Sequence, residues 1–161
     1  MFPLLLILAG VARAEFLRIE MGFGGMECAS CSQFIENRFS RNPGVESVSI
    51  DKQKSAVILK LKPGNKVRLT QVRDFVQQSG FTPKDALVVV RGVPEVEQGN
   101  TSLKIDGIGT VRLEDPRALL RAWISKNVEI TGKSRMITHE GQKAEVIEVE
   151  KAELVMDAAK P

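Results

Sequence analysis

Between residues 16 and 91 the apolar residues alternate between the two-residue period of strands and the 3.6-residue period of helices. Phe16 to Met21 reads as a strand, which Gly22, Gly24 and Gly25 break. Ala29 to Arg41 carries Cys31, Phe34, Ile35 and Phe39 at helical spacing and stops at Asn42-Pro43-Gly44. Val45 to Ile50 and Ala56 to Leu61 flank a polar turn at 51–55 and read as a hairpin. Leu69, Val72, Phe75 and Val76 mark a second amphipathic helix from about Thr70 to Ser79, closed by Gly80. Ala86 to Arg91 reads as a further strand. The order is β-α-β-β-α-β, a split β-α-β arrangement.

The last third has a different texture. Val93 to Glu97 and Ser102 to Ile105 flank Gln98-Gly99-Asn100, a hairpin signal, and Thr110 to Leu113 follows as a third strand. Asp115-Pro116 predicts an N-cap and first-turn proline for a short helix to about Ile124, burying Leu119, Leu120 and Trp123. Val128 to Gly132 and Ala144 to Val149 read as strands joined through a turn at Gly141. Three strands, a helix and two strands predict a small β-barrel of the OB type over residues 92–157, with 158–161 as a tail. The expected class is therefore α+β: a ferredoxin-like βαββαβ domain over 15–91, then an OB-like barrel. Ala86 to Glu97 holds one glycine and one proline, so one long or kinked strand is expected to couple the two units rigidly.

Residues 1–14 read as an address. Phe2 to Val11 is a short apolar run followed by Ala12-Arg13-Ala14, the small-x-small pattern of a secretory signal peptide cleaved after Ala14. The segment before the run carries no Lys or Arg. The expected location is periplasmic or secreted, with no stable membrane anchor after cleavage. In such a compartment thiols face oxidation.

The chemistry concentrates in Gly25-Met26-Glu27-Cys28-Ala29-Ser30-Cys31, between the first strand and the first helix. Cys28 and Cys31 are the only two cysteines, and His139 is the single histidine. A helix start favours negative charge, which lowers a thiol pKa. Soft thiolates select soft ions, above all Cu(I). Two sulfurs hold Cu(I) in an open, nearly linear site but do not complete the four-ligand shell of structural zinc.

The Gly-Met-x-Cys-x-x-Cys motif inside a βαββαβ unit resembles the heavy-metal-associated domain family, which includes copper chaperones, amino-terminal modules of copper-exporting ATPases and periplasmic mercury-binding proteins. The resemblance covers residues 16–91. It implies Cys28 and Cys31 as metal ligands. It implies Met26 as an inward-packing support of the ligand loop, and Phe81 as a packing neighbour of the metal rather than a ligand. It leaves Cu(I), Hg(II) and other soft ions open, and it implies a metal-donating or metal-accepting protein as partner.

Two other readings of the cysteines stand beside this one: a thiol-disulfide oxidoreductase, and an interaction module with a vestigial metal site. Otherwise no catalytic constellation is present: no Ser-His-Asp set, no phosphate loop and no Cys-His pair, so an enzyme is not expected. Met136 and His139 invite a second copper site, but a surface loop histidine is the simpler reading. The net charge of +3 is too small to argue for nucleic acid. From Gly92 onward there are ten basic and twelve acidic residues, and Trp123 is the only aromatic, which is not the surface of a single-strand binder. Residues 15–91 hold twelve basic and eight acidic residues, a balance that suits an acidic docking partner or a simply solvated surface.

Overall fold

The structure is a computed structural model that describes residues 13–25 and 29–156. Its elements are β1 (Glu15–Gly24), α1 (Ala29–Ser40), β2 (Val45–Asp51), β3 (Ala56–Leu61), α2 (Leu69–Gln78), β4 (Thr82–Gly92), β5 (Pro94–Glu97), β6 (Asn100–Ile105), β7 (Gly109–Glu114), β8 (Val128–His139) and β9 (Gln142–Leu154). The first six follow the expected β-α-β-β-α-β order. Their strands pair as β2-β3-β1-β4, each neighbour antiparallel, which is the ferredoxin-like arrangement. Alternation sends Ile19, Met21, Val57, Leu59 and Val88 to one face, where they are fully buried with Ile35 of α1 and Val72 and Val76 of α2. Leaving water contributes about 1.5–3 kcal/mol for each large apolar side chain. Met21 is thus core. Phe34 departs from the expected apolar stripe of α1 and is 53% exposed.

The C-terminal strands depart from the barrel expected for 92–157. All nine strands form one sheet, in the order β2-β3-β1-β4-β8-β9-β7-β6-β5, which does not close. Val93 separates β4 from β5. β4 then pairs with β1 and β8, whereas β5 turns away to pair with β6 alone. Among the described residues the only parallel pairing is β7 with β9. The suspected strand from Ala86 to Glu97 is therefore two strands with a one-residue break. Gly92 is tightly enclosed there: a Cβ would lie 2.8 Å from both Ala14 Cβ and Leu103 Cδ1. Leu103, Ile105, Leu113, Leu120, Ile130 and Ile147 belong to the same buried cluster as the core under α1 and α2.

The expected helix from Asp115 to Ile124 is a run of turns. Both Asp115 carboxylate oxygens are taken, by the N–H groups of Leu119 (2.8 Å) and Leu120 (2.7 Å). The backbone bonds step back three residues, as in Ala118 to Asp115, Arg121 to Ala118 and Trp123 to Leu120. Ala118 and Ser125 adopt left-handed φ values of 55° and 64°, which interrupt helix propagation. Ser125 N–H donates to the Pro94 carbonyl at 3.0 Å and ties the turns to β5.

An ion-pair network joins α2 to the C-terminal strands. Arg73 donates through Nε (3.2 Å) and Nη2 (2.7 Å) to the two carboxylate oxygens of Glu145 on β9, and through Nη1 to the Lys84 carbonyl (2.5 Å). Ser134 Oγ on β8 donates to the same carboxylate. The Arg73 and Glu145 side chains are only 12% and 10% exposed. Removing one partner strands the other's charge, so Arg73→Ala should destabilise the chain by about 3 kcal/mol in urea unfolding. A loss under about 0.5 kcal/mol would show that the pair does not support the junction. Gly132 offers a second test. A Cβ there would meet the Glu148 carbonyl oxygen at 2.5 Å and Ile147 Cγ2 at 2.6 Å. Gly132→Ala should cost about 2 kcal/mol by the same measurement, and an unchanged midpoint would contradict this packing.

Candidate metal centre

The centre is built where β1 ends and α1 begins. Phe23 and Gly24 pair with Pro83 and Thr82 of β4, after a register shift between Met21 and Phe23. Phe23 N–H also donates to the Ser55 carbonyl at 2.8 Å. These bonds fix the end of β1 at Gly24, and α1 begins at Ala29. Cys31 is the third residue of α1, in its first turn. Met26 and Cys28 lie outside the described residues, as does the side chain of Cys31.

Phe81 is placed by the end of α2. Gly80 N–H donates to the Gln77 carbonyl (3.0 Å) and Phe81 N–H to the Val76 carbonyl (3.3 Å), a Schellman closure. The closure requires a left-handed residue, and Gly80 has φ +88°. The chain is thereby turned so that Phe81 is buried against Phe23, their ring centroids 5.2 Å apart and their planes at 52°. The tilted contact adds about 0.5–1.5 kcal/mol beyond burial. Phe81 therefore packs on the residue three positions before Met26. The aliphatic stem of Lys84 runs over the same strand end, within 3.4–3.5 Å of where a Cβ would stand on Gly22 or Gly24.

The first turn of α1 carries no acidic side chain, and its last turn carries Arg38. That cation suits the negative end of the helix, and it lies 4.7 Å over the Phe75 ring on α2.

Met136 and His139 are not brought together. Both lie on β8, three residues apart, so their side chains leave opposite faces of the sheet. His139 is exposed. Among the described residues no three His, Cys, Asp or Glu side chains gather as a metal site. Sequence reasoning did not find Phe23, whose pairing with Phe81 depends on a register shift no local pattern announces.

Residues 23–82 match the family model of the heavy-metal-associated domain. Among solved structures, the chain is similar to a copper-binding domain from HMA7, a P-type ATPase, at 25% identity, covering 42% of this chain and 90% of that one, with a TM-score of 0.38. It is also similar to the CopZ metallochaperone at 21% identity, covering 42% and 98%, with a TM-score of 0.38. A third is the N-terminal domain of a potential copper-translocating P-type ATPase from Bacillus subtilis, at 23% identity, covering 44% and 86%, with a TM-score of 0.39. No curated protein matches the chain.

Phe81→Ala should destabilise the metal-free protein by about 3 kcal/mol, and Phe81→Leu by under about 1.5 kcal/mol, in chemical denaturation. Equal losses from the two variants would contradict a packing role for the ring.

Proposed function

We propose that this chain, whose residues 23–82 match the heavy-metal-associated domain model, binds a soft metal ion through Cys28 and Cys31 and hands it to another protein. One observation carries the reading: the matched segment spans the cysteine pair, and that pair falls where β1 gives way to the start of α1. Cu(I) is the ion that two thiolates and an open site suit best, and Hg(II) is the alternative soft ion. The ion is cargo. An incoming thiolate or thioether binds it first, giving a three-coordinate intermediate, and then Cys28 or Cys31 leaves. No electron moves in that exchange, and the metal keeps its charge. Met26 supports the loop, and Phe81 packs beside it without ligating. The partner is a metal-donating or metal-accepting protein, not a nucleic acid.

The reading includes export to the periplasm or beyond, by way of a leader ending at Ala14. Residues 1–12 lie outside the described residues. Ala14 itself is buried, and its carbonyl accepts the Asp106 N–H at 3.4 Å. The next residue, Glu15, accepts the Gly64 N–H at 2.5 Å. Cleavage after Ala14 would remove this carbonyl and the Cβ that packs on Gly92, so the leader's end meets the edge of the described fold. An oxidising compartment would join the two thiols and close the site, so the metal-binding form is the reduced one.

The test is a titration of the reduced chain with Cu(I) against a chromogenic chelator. One equivalent should bind tightly. Cys28→Ser/Cys31→Ser should weaken binding at least about a hundredfold, a loss of roughly 2.7 kcal/mol. Equal binding by the variant would discard the reading and bring forward thiol-disulfide exchange at the same cysteines.

A further inference from the structure

β4 and β8 separate at the end of the sheet where the cysteine loop leaves. Their ladder ends with Ala86 opposite Ser134, although β4 begins earlier, at Thr82, and β8 runs on to His139. Thr82 and Pro83 pair with Gly24 and Phe23 of β1 and have no ladder partner on their other side. Beyond Ser134, β8 pairs with β9 alone.

The Arg73 guanidinium stands at this fork. Nη1 donates to the Lys84 carbonyl at 2.5 Å and Nη2 to the Ser134 carbonyl at 3.4 Å, so one side chain takes an acceptor from each of the two strands. Its remaining bonds hold it there: Nε and Nη2 donate to the Glu145 carboxylate, which also accepts the Ser134 hydroxyl. A two-point guanidinium–carboxylate pair fixes direction as well as distance. The Arg73 and Glu145 side chains are nearly buried, so water screens the pair weakly. The other polar tether on this side of the β4 start is the pair of Lys133 with Asp85 at 3.3 Å, and both of those side chains are half exposed. An exposed pair of that kind contributes little.

The cysteine loop departs from the strand end that Arg73 holds. Lys84 directly follows the Thr82 and Pro83 pairings with β1, and Gly24 precedes Cys28 by only three intervening residues. Phe81, just before Thr82, packs on Phe23. Cys31 lies in the first turn of α1. The relative placement of the two cysteines therefore depends on where the end of β1 stands against the start of α1. A binding constellation works when its donors are held to within about 0.5 Å of the productive geometry. A site of two sulfurs has no further protein ligand to make good a displacement.

We infer that Arg73 is a positioning residue of the metal centre. Held by Glu145 of β9 and Ser134 of β8, it fixes the start of β4, and through it the end of β1 from which the cysteine loop departs. The C-terminal strands thereby set how firmly the ion is held, without supplying a ligand. The inference rests on the metal reading and gives β8 and β9 a part in it.

The test compares Arg73→Lys, Arg73→Gln and Leu120→Ala in the reduced full chain. Arg73→Lys keeps a cation opposite Glu145, but a single ammonium does not reproduce the fork. Leu120→Ala removes a buried side chain from the 115–124 turns and serves as the purely destabilising control. Two quantities are read: the amide shifts of Phe23 and Gly24 in the metal-free chain, and the rate at which bound Cu(I) passes to a chromogenic chelator. Both arginine variants should move the two amides and release Cu(I) at least about fivefold faster than wild type. Leu120→Ala should leave both readouts unchanged. Unmoved amides or unchanged release in Arg73→Lys, or equal changes in Leu120→Ala, would overturn the inference and leave the metal reading standing. A wild-type chain that takes up no Cu(I) would overturn both, so the wild type alone tells the two failures apart.

Discussion

Strand β4 is hydrogen-bonded along both edges, to β1 on one side and to β8 on the other, and both halves of the molecule take their position from it. In a four-stranded sheet ordered β2-β3-β1-β4 this strand would be an open edge, a surface prone to unwanted pairing. Here β8 covers it. Behind the ladder, Arg73 ties α2 to Glu145 on β9 and to the Lys84 carbonyl on β4. The same strand begins at Thr82 and Pro83, which pair with the last residues of β1 before the cysteine loop. The C-terminal strands thus support the sheet that carries the loop, although they contribute none of the cysteine-bearing segment.

The first six elements were legible because each has its own period and its own stop. Val72 and Val76 on α2, or Val57 and Leu59 on β3, are buried as their spacing requires. Gly80 closes α2 as its position suggests. The C-terminal strands were legible as strands, but their place in one open sheet was not. Whether β5 follows β4 or leaves it depends on the single residue Val93 and on pairing partners far away in sequence. The missing helix has a local cause that composition hides. Asp115-Pro116 is a good helix start, yet the Asp115 carboxylate reaches four and five residues ahead and fixes turns instead. Phe34 illustrates the limit of periodicity, since it lies at helical spacing from Cys31 and still faces water.

At the candidate site the motif is local and its surroundings are not. The cysteine spacing and the helix start are local, and they are readable in seven consecutive residues. The support is not local: Phe81 meets Phe23 across 58 residues of chain, and the Arg73 to Glu145 pair spans 72. Contacts of that range come from topology, and no motif encodes them.

The central claim is that a soft ion sits between two cysteine sulfurs at the end of β1. X-ray absorption at the copper edge of the reduced, Cu(I)-loaded full chain tests it most directly. The account predicts nearest neighbours that are sulfur alone, two for each copper. Nitrogen or oxygen among the nearest neighbours, or an unchanged spectrum in Cys28→Ser/Cys31→Ser, would contradict it.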